Sequence, residues 1–133
     1  MRFVLDASIA ITWAMGDEDH PLADLAFAEL RSGSARVPGI WWYEIRNILV
    51  LSERRNRISE SDSGQFLRDL EQLSISVDFS QSGTQVMDLS RKYKLSVYDA
   101  AYLALAMRDG LPLATLDRAL QEAARDAGIQ LFS

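Results

Sequence analysis

Short apolar runs that stop abruptly, each followed by a stretch of helical spacing, recur along this chain, and that alternation constrains its fold more than any other feature. Phe3-Val4-Leu5 reads as a short buried strand, and Ile9 to Ala14 reads as the helix after it. Ala35-Arg36-Val37-Pro38 is a second strand ended by proline, and Ile75 to Phe79 alternates as a third, with Asp78 on its polar side. Leu111 to Thr115 forms a fourth strand and Ile129 to Phe132 a last edge strand. The intervening helices are predicted from Leu22 to Leu30, with Pro21 in first position and Gly33 closing it, and from Ile40 to Leu51. A capping pair, Ser59 and Asp62, opens a helix through Phe66, Leu67, Leu70 and Leu73. Ser82 to Tyr93 follows with Val86, Met87 and Leu89 on its buried side, then Ser96 to Met107, ended by Gly110, and Arg118 to Ala127, ended by Gly128. Strands separated by helices imply a three-layer α/β fold, a mainly parallel four- or five-stranded sheet with helices on both faces.

A chain of 133 residues, 48% hydrophobic, suits a single domain over residues 1–133 with a real core. No apolar run approaches a membrane span and the start lacks the pattern of a signal peptide, which predicts a cytoplasmic protein. With no cysteine and one histidine, His20, thiolate sites and sites of several imidazoles are excluded, so any metal must be held by oxygen. The net charge of -5 and sequence pI of about 4.8 argue against a uniformly basic nucleic-acid grip. A local basic patch is compatible with that average: Arg54, Arg55 and Arg57 cluster after Arg46 on the Ile40 helix, as substrate contacts or as a solvated helix end. Asp17, Glu18 and Asp19 precede Pro21 and complement the positive end of their helix.

Four acids stand out. Asp6 ends the first strand, where ligands of open α/β sheets bind, although it or Ser8 can also simply cap the next helix. Glu44 is the one acid of the most apolar helix, flanked in azimuth by Ile40, Trp41, Ile48 and Leu51. A carboxylate there requires a cation, a donor or a metal as partner. Asn47, one turn on, can hydrogen-bond toward the same place or lie on the surface. Asp99 lies in the first turn of a helix rich in alanine, at capping-box spacing from Ser96, and Asp117 can cap the last helix. In a parallel sheet all four converge on the carboxyl rim, with Ser8 and Thr115 beside them as hydroxyl donors. Crowded carboxylates either rise in pKa or share a cation. An all-oxygen set points to Mg²⁺ or Mn²⁺, and hydrolysis of a phosphodiester is the natural chemistry, though spacing alone does not separate nuclease from phosphatase.

Phe3-Val4-Leu5-Asp6-Ala7-Ser8, Tyr43-Glu44-Ile45-Arg46-Asn47, Tyr98-Asp99-Ala100-Ala101-Tyr102-Leu103-Ala104-Leu105-Ala106 and Leu113-Ala114-Thr115-Leu116-Asp117 resemble the four motif regions of PIN-domain ribonucleases, specifically the VapC toxins of type II toxin-antitoxin modules. The resemblance spans nearly the whole chain, in order. It implies a PIN-like fold and an endoribonuclease whose Asp6, Glu44, Asp99 and Asp117 bind Mg²⁺ or Mn²⁺. Ser8 and Thr115 would orient carboxylates or an ion, and Asn47 would support Glu44. It also implies a homodimer, with RNA as substrate and possession of a cognate VapB-type antitoxin whose basic residue plugs the acidic site.

A haloacid-dehalogenase-type phosphatase also places an Asp after its first strand, but wants a second Asp where this chain has Ser8, and Lys94 is poorly placed for its lysine. A receiver-like switch would leave Asp78 inside a strand and Glu44 unexplained. A non-catalytic PIN-like binding module is the nearer rival. Trp41, Trp42 and Tyr43 are assigned to the core by default, with dimer or antitoxin contact as the alternatives.

Overall fold

The computed structural model describes residues 1–16 and 19–133; Asp17 and Glu18, read above as complementing a helix start, lie outside the described residues. The strands are β1 (Arg2–Leu5), β2 (Ser34–Pro38), β3 (Ile75–Asp78) and β4 (Leu113–Ala114), all parallel in the order β3-β2-β1-β4. The helices are α1 (Ala7–Ala10), α2 (Pro21–Glu29), α3 (Gly39–Arg54), α4 (Glu60–Glu71), α5 (Gly83–Tyr93), α6 (Val97–Asp109) and α7 (Arg118–Asp126). Phe3, Val4 and Leu5 are each 0% exposed, and since successive strand residues point to opposite faces, both faces of β1 are covered. α6 packs on β1, β2 and β4, while α3 packs on β2 and β3.

Helix starts follow the side chains that can satisfy free amides. Ser59, Ser82, Ser96 and Asp117 each accept from the backbone N–H three residues on, at 3.0, 3.3, 3.0 and 2.9 Å. Pro21 occupies the first turn of α2, as its missing N–H allows. Gly110, at φ 64°, turns α6 back into β4 at no steric cost.

Several expectations need correction. The helix read from Ile9 to Ala14 starts earlier, at Ala7, and tightens into a 3₁₀ turn over Ile11–Trp13, with the Thr12 hydroxyl donating to the Ile9 carbonyl at 2.8 Å. The fourth strand shrinks to Leu113–Ala114, and the expected edge strand to a single bridge between Leu113 and Leu131, because the tail is anchored by packing instead: Phe132 lies 4.6 Å from Phe3, centroid to centroid. Met87 is 43% exposed although Val86 and Leu89 are buried. Of the aromatic run only Trp41 joins the core; Trp42 and Tyr43 are exposed.

Asp78 is not on a solvated face but 6% exposed. Arg108 of α6 reaches its Oδ2 at 2.5 Å, and the Ser80 hydroxyl and amide donate to its Oδ1 at 2.7 and 3.0 Å. Arg36 of β2 joins the cluster at 3.8 Å from Asp78 and 3.1 Å from Asp109. Burial pushes the Asp78 carboxyl up, but the Ser80 hydrogen bonds and Arg108 outweigh it and hold it below the usual range. Its stabilisation is therefore complete above the ordinary carboxylate value and is lost as pH falls through the depressed one. Asp78→Asn is expected to cost about 1–2 kcal/mol in urea unfolding at pH 7, discounted for the solvent that reaches Arg108. The difference from wild type should narrow below pH 4.

Candidate active site

Asp6 directly follows β1, and its backbone N–H donates to the Ala114 carbonyl at 2.9 Å, which sets it beside the end of β4. Its carboxylate, in N-cap position, makes no side-chain cap bond to α1. Instead both Ser8 Oγ and Thr115 Oγ1 donate to the same oxygen, Oδ2, at 2.7 Å each. Each hydroxyl is itself fixed by an amide of the turn after β4: Leu116 N–H donates to Ser8 Oγ and Asp117 N–H to Thr115 Oγ1, both at 3.0 Å. Two amide-to-hydroxyl-to-carboxylate relays thus lock a buried acid, and Oδ1 receives neither hydroxyl. The capping explanation fails for Asp6, the residue for which it was simplest.

Glu44 lies in the second turn of α3, half-buried, and the Tyr102 hydroxyl of α6 donates to its Oε1 at 2.5 Å. The partner demanded by its apolar surroundings is therefore a tyrosine. Asn47 is exposed and, among the described residues, makes no side-chain hydrogen bond to Glu44. Tyr102 itself is 0% exposed. Burial and the charges of Asp6 and Glu44 push its hydroxyl far above the ordinary tyrosine pKa, so it remains a donor throughout the working pH range.

Asp99 lies half-buried at the start of α6, and Asp117 is exposed at the start of α7. Both keep their helix-end roles: Ser96 accepts from the Asp99 amide, and Asp117 caps Leu120. They also face the other acids. Burial pushes the Asp6 carboxyl up, aided by the charge of Asp117 and opposed by the two hydroxyls. Burial likewise raises Glu44, against the Tyr102 hydrogen bond and with the charges of Asp6 and Asp99 adding to it. Asp99 is raised by burial and by Asp6 and Asp117. The four sequence-predicted acids thus occupy one electrostatic neighbourhood at the carboxyl edge of β1 and β4.

Among the described residues none of the four forms an ion pair with a lysine or arginine, so their charge is uncompensated by protein. Nor are any three acid or histidine side chains among those residues arranged to ligate one ion directly. Mg²⁺ keeps several of its waters and takes one or two carboxylates, so this donor set fits a hydrated divalent ion held partly through water. Arg46 lies elsewhere on α3, its guanidinium 3.6 Å over the Trp42 ring. Arg54 and Arg55 are exposed at the far end of that helix, about 15 Å along its axis from Glu44 at 1.5 Å per residue.

Tyr102 is the site residue that sequence reasoning passed over. Its signal was available, since it is a hydroxyl inside an otherwise apolar, buried run one turn after Asp99, and a buried phenol needs a partner.

A parallel β3-β2-β1-β4 sheet with a cluster of acids at its carboxyl edge is the architecture of a PIN-like α/β domain. A family model described as PIN domain matches residues 3–126, and the chain belongs to that family. Ribonuclease VapC3 of Pyrobaculum aerophilum is 30% identical to it over 125 residues, covering 92% of this chain and 94% of the relative. Among solved structures, PAE2754 from Pyrobaculum aerophilum matches with a TM-score of 0.74 at 22% identity, over 92% of this chain and 84% of that one. VapBC2 from Rickettsia felis, bound to a DNA fragment from its promoter, matches with 0.71 at 11% identity over 99% and 98%. A toxin-antitoxin complex from Klebsiella pneumoniae gives 0.63 at 21% identity over 86% of each. Likeness at such identities establishes a shared fold. Among the described residues no helix is long and apolar enough to cross a membrane.

Proposed function

We propose that this chain is a metal-dependent endoribonuclease acting as the toxin of a toxin-antitoxin pair, held inactive by a cognate VapB-type antitoxin. The observation that carries the reading is Asp6: a buried carboxylate held by two hydroxyls, making no side-chain cap bond, with three more acids in its neighbourhood and, among the described residues, no lysine or arginine paired with any of the four. Its 30% identity to a ribonuclease supports RNA as the substrate.

Asp6, Glu44, Asp99 and Asp117 are the residues to hold Mg²⁺ or Mn²⁺. A bound ion supplies Lewis-acid stabilisation of charge at the phosphoryl group and acidifies water. Ser8 and Thr115 fix the carboxylate of Asp6, so its position is settled before substrate arrives. An uncompensated acidic rim repels RNA phosphates on its own, which makes neutralisation of that rim a condition of binding. The same charge favours an antitoxin arginine, which can donate two hydrogen bonds to a carboxylate. Arg46, Arg54 and Arg55 would meet parts of the RNA remote from the cleaved bond, and a homodimer would bring two such surfaces together.

The test is cleavage of a mixed cellular RNA pool by the purified chain with Mg²⁺, with Mn²⁺, or with chelator. Discrete fragments should form with either ion and disappear with chelator. A folded, antitoxin-free protein that binds no divalent ion and leaves several RNAs whole would instead be a non-catalytic binding module.

A further inference from the structure

Glu44 occupies an unfavourable place. Its side chain has three rotatable bonds, it stands half-buried, and the charges of Asp6 and Asp99 act on it. Left to repulsion and solvation, such a carboxylate swings outward to water. One described side chain opposes that motion: the Tyr102 hydroxyl, 2.5 Å from Oε1, on a residue that is itself 0% exposed in the stretch of α6 buried from Ala100 to Ala106. The contact joins two helices 58 residues apart in sequence, and α6 also carries Asp99, three residues before the tyrosine. A position on one helix face thus couples an acid of the rim to the clamp on another acid of the rim. The clamp engages Oε1 alone.

We propose that Tyr102 is a positioning residue that holds Glu44 inside the acidic rim, where its carboxylate serves a bound divalent ion. The inference rests on Glu44 acting at a metal site, as argued above. A hydroxyl that merely satisfied its own burial would have no bearing on metal affinity, whereas a partner that orients a ligand typically governs affinity by 10–100-fold, as outer hydrogen bonds to metal ligands do.

The experiment is Mn²⁺ titration of the nucleic-acid-free chain by calorimetry, with Mn²⁺ electron paramagnetic resonance as a second readout, on wild type, Tyr102→Phe, Glu44→Gln and the double variant. Tyr102→Phe should bind Mn²⁺ about 10–100-fold more weakly, and in the Glu44→Gln background it should cause no further loss. Excess Mn²⁺ should restore its turnover toward wild type, which a generally damaged fold would not permit. Tyr102→Met, which removes the hydroxyl and keeps an apolar side chain of similar reach, takes the place of the Phe variant if that one does not fold, with the same expected loss in the wild-type background and none in the Glu44→Gln background. Affinity within twofold of wild type in Tyr102→Phe, or an equal loss with and without Glu44, overturns the proposal. A wild type that binds Mn²⁺ and responds to these variants but cuts no RNA sinks the nuclease reading and leaves this one standing. A wild type that binds no Mn²⁺ sinks both.

Discussion

Asp6→Asn is expected to lower metal-dependent RNA cleavage by about 10²–10³-fold, the usual loss when one group that stabilises transition-state charge is removed, while leaving the fold intact. The substitution is nearly isosteric, and an asparagine carbonyl oxygen can accept from Ser8 Oγ and Thr115 Oγ1 just as Oδ2 does now. What it removes is the charge, at the position where the acid is most buried, 5% exposed, and most firmly oriented. Single-turnover cleavage compared with thermal unfolding separates the two effects: turnover should collapse while the melting temperature holds or rises. Thr115→Val would be a poorer probe, because it removes one of the two donors to Asp6 Oδ2 and strands the Asp117 amide, and so mixes stability with function. Retention of wild-type turnover by Asp6→Asn would remove Asp6 from the site.

How far the site could be read in advance depended on whether the deciding contact was local. Asp6 follows an apolar run, and Asp99 and Asp117 open helices, so element order alone brings them to one edge. Glu44 was legible from its azimuth within an apolar stripe, which showed that it needed a partner but not which one. That partner, Tyr102, signals as a buried phenol that it needs an acceptor, but it lies 58 residues away on another helix, and nothing in the sequence pairs the two. Asp78 failed for a related reason. Strand alternation puts it on the face of Ser76, which is exposed, and nothing nearby in sequence announces that Arg108 will fold over it from α6. The last strand was over-read because Ile129 to Phe132 has strand composition, while its fate was decided by stacking of Phe132 on Phe3 and one bridge to Leu113. Trp42 and Tyr43 were given to the core on composition; their exposure is set by the turn of α3, which spends its buried positions on Trp41, Ile45 and Leu49.

Asp99→Asn should move activity and stability in opposite directions, and that opposition distinguishes a metal site from a set of helix caps. The carboxyls of Asp6, Glu44 and Asp99 are all raised, so between the ordinary carboxylate value and the raised one the folded protein keeps protons that the unfolded chain has released. Stability in the absence of metal therefore falls as pH rises through that window, and the penalty persists at pH 7. Replacing Asp99 by a neutral amide removes one of the mutually repelling charges yet keeps the backbone N–H that donates to Ser96. The metal-free variant should be more stable than wild type by about 0.5–2 kcal/mol at pH 7, the usual gain when a strained functional group is relieved, and the gain should shrink toward pH 4. Saturating Mg²⁺ should stabilise wild type more than the variant, reversing or erasing the difference, because binding to the folded state adds to its stability. RNA cleavage should fall by about 10²–10³-fold at the same time. Urea unfolding at two pH values with and without Mg²⁺ reads the stability changes, and single-turnover cleavage by the same protein pair reads the activity. Were Asp99 only the third residue of a capping box, the variant would be no more stable than wild type at pH 7 and equally responsive to Mg²⁺, and its assignment to the site would fall.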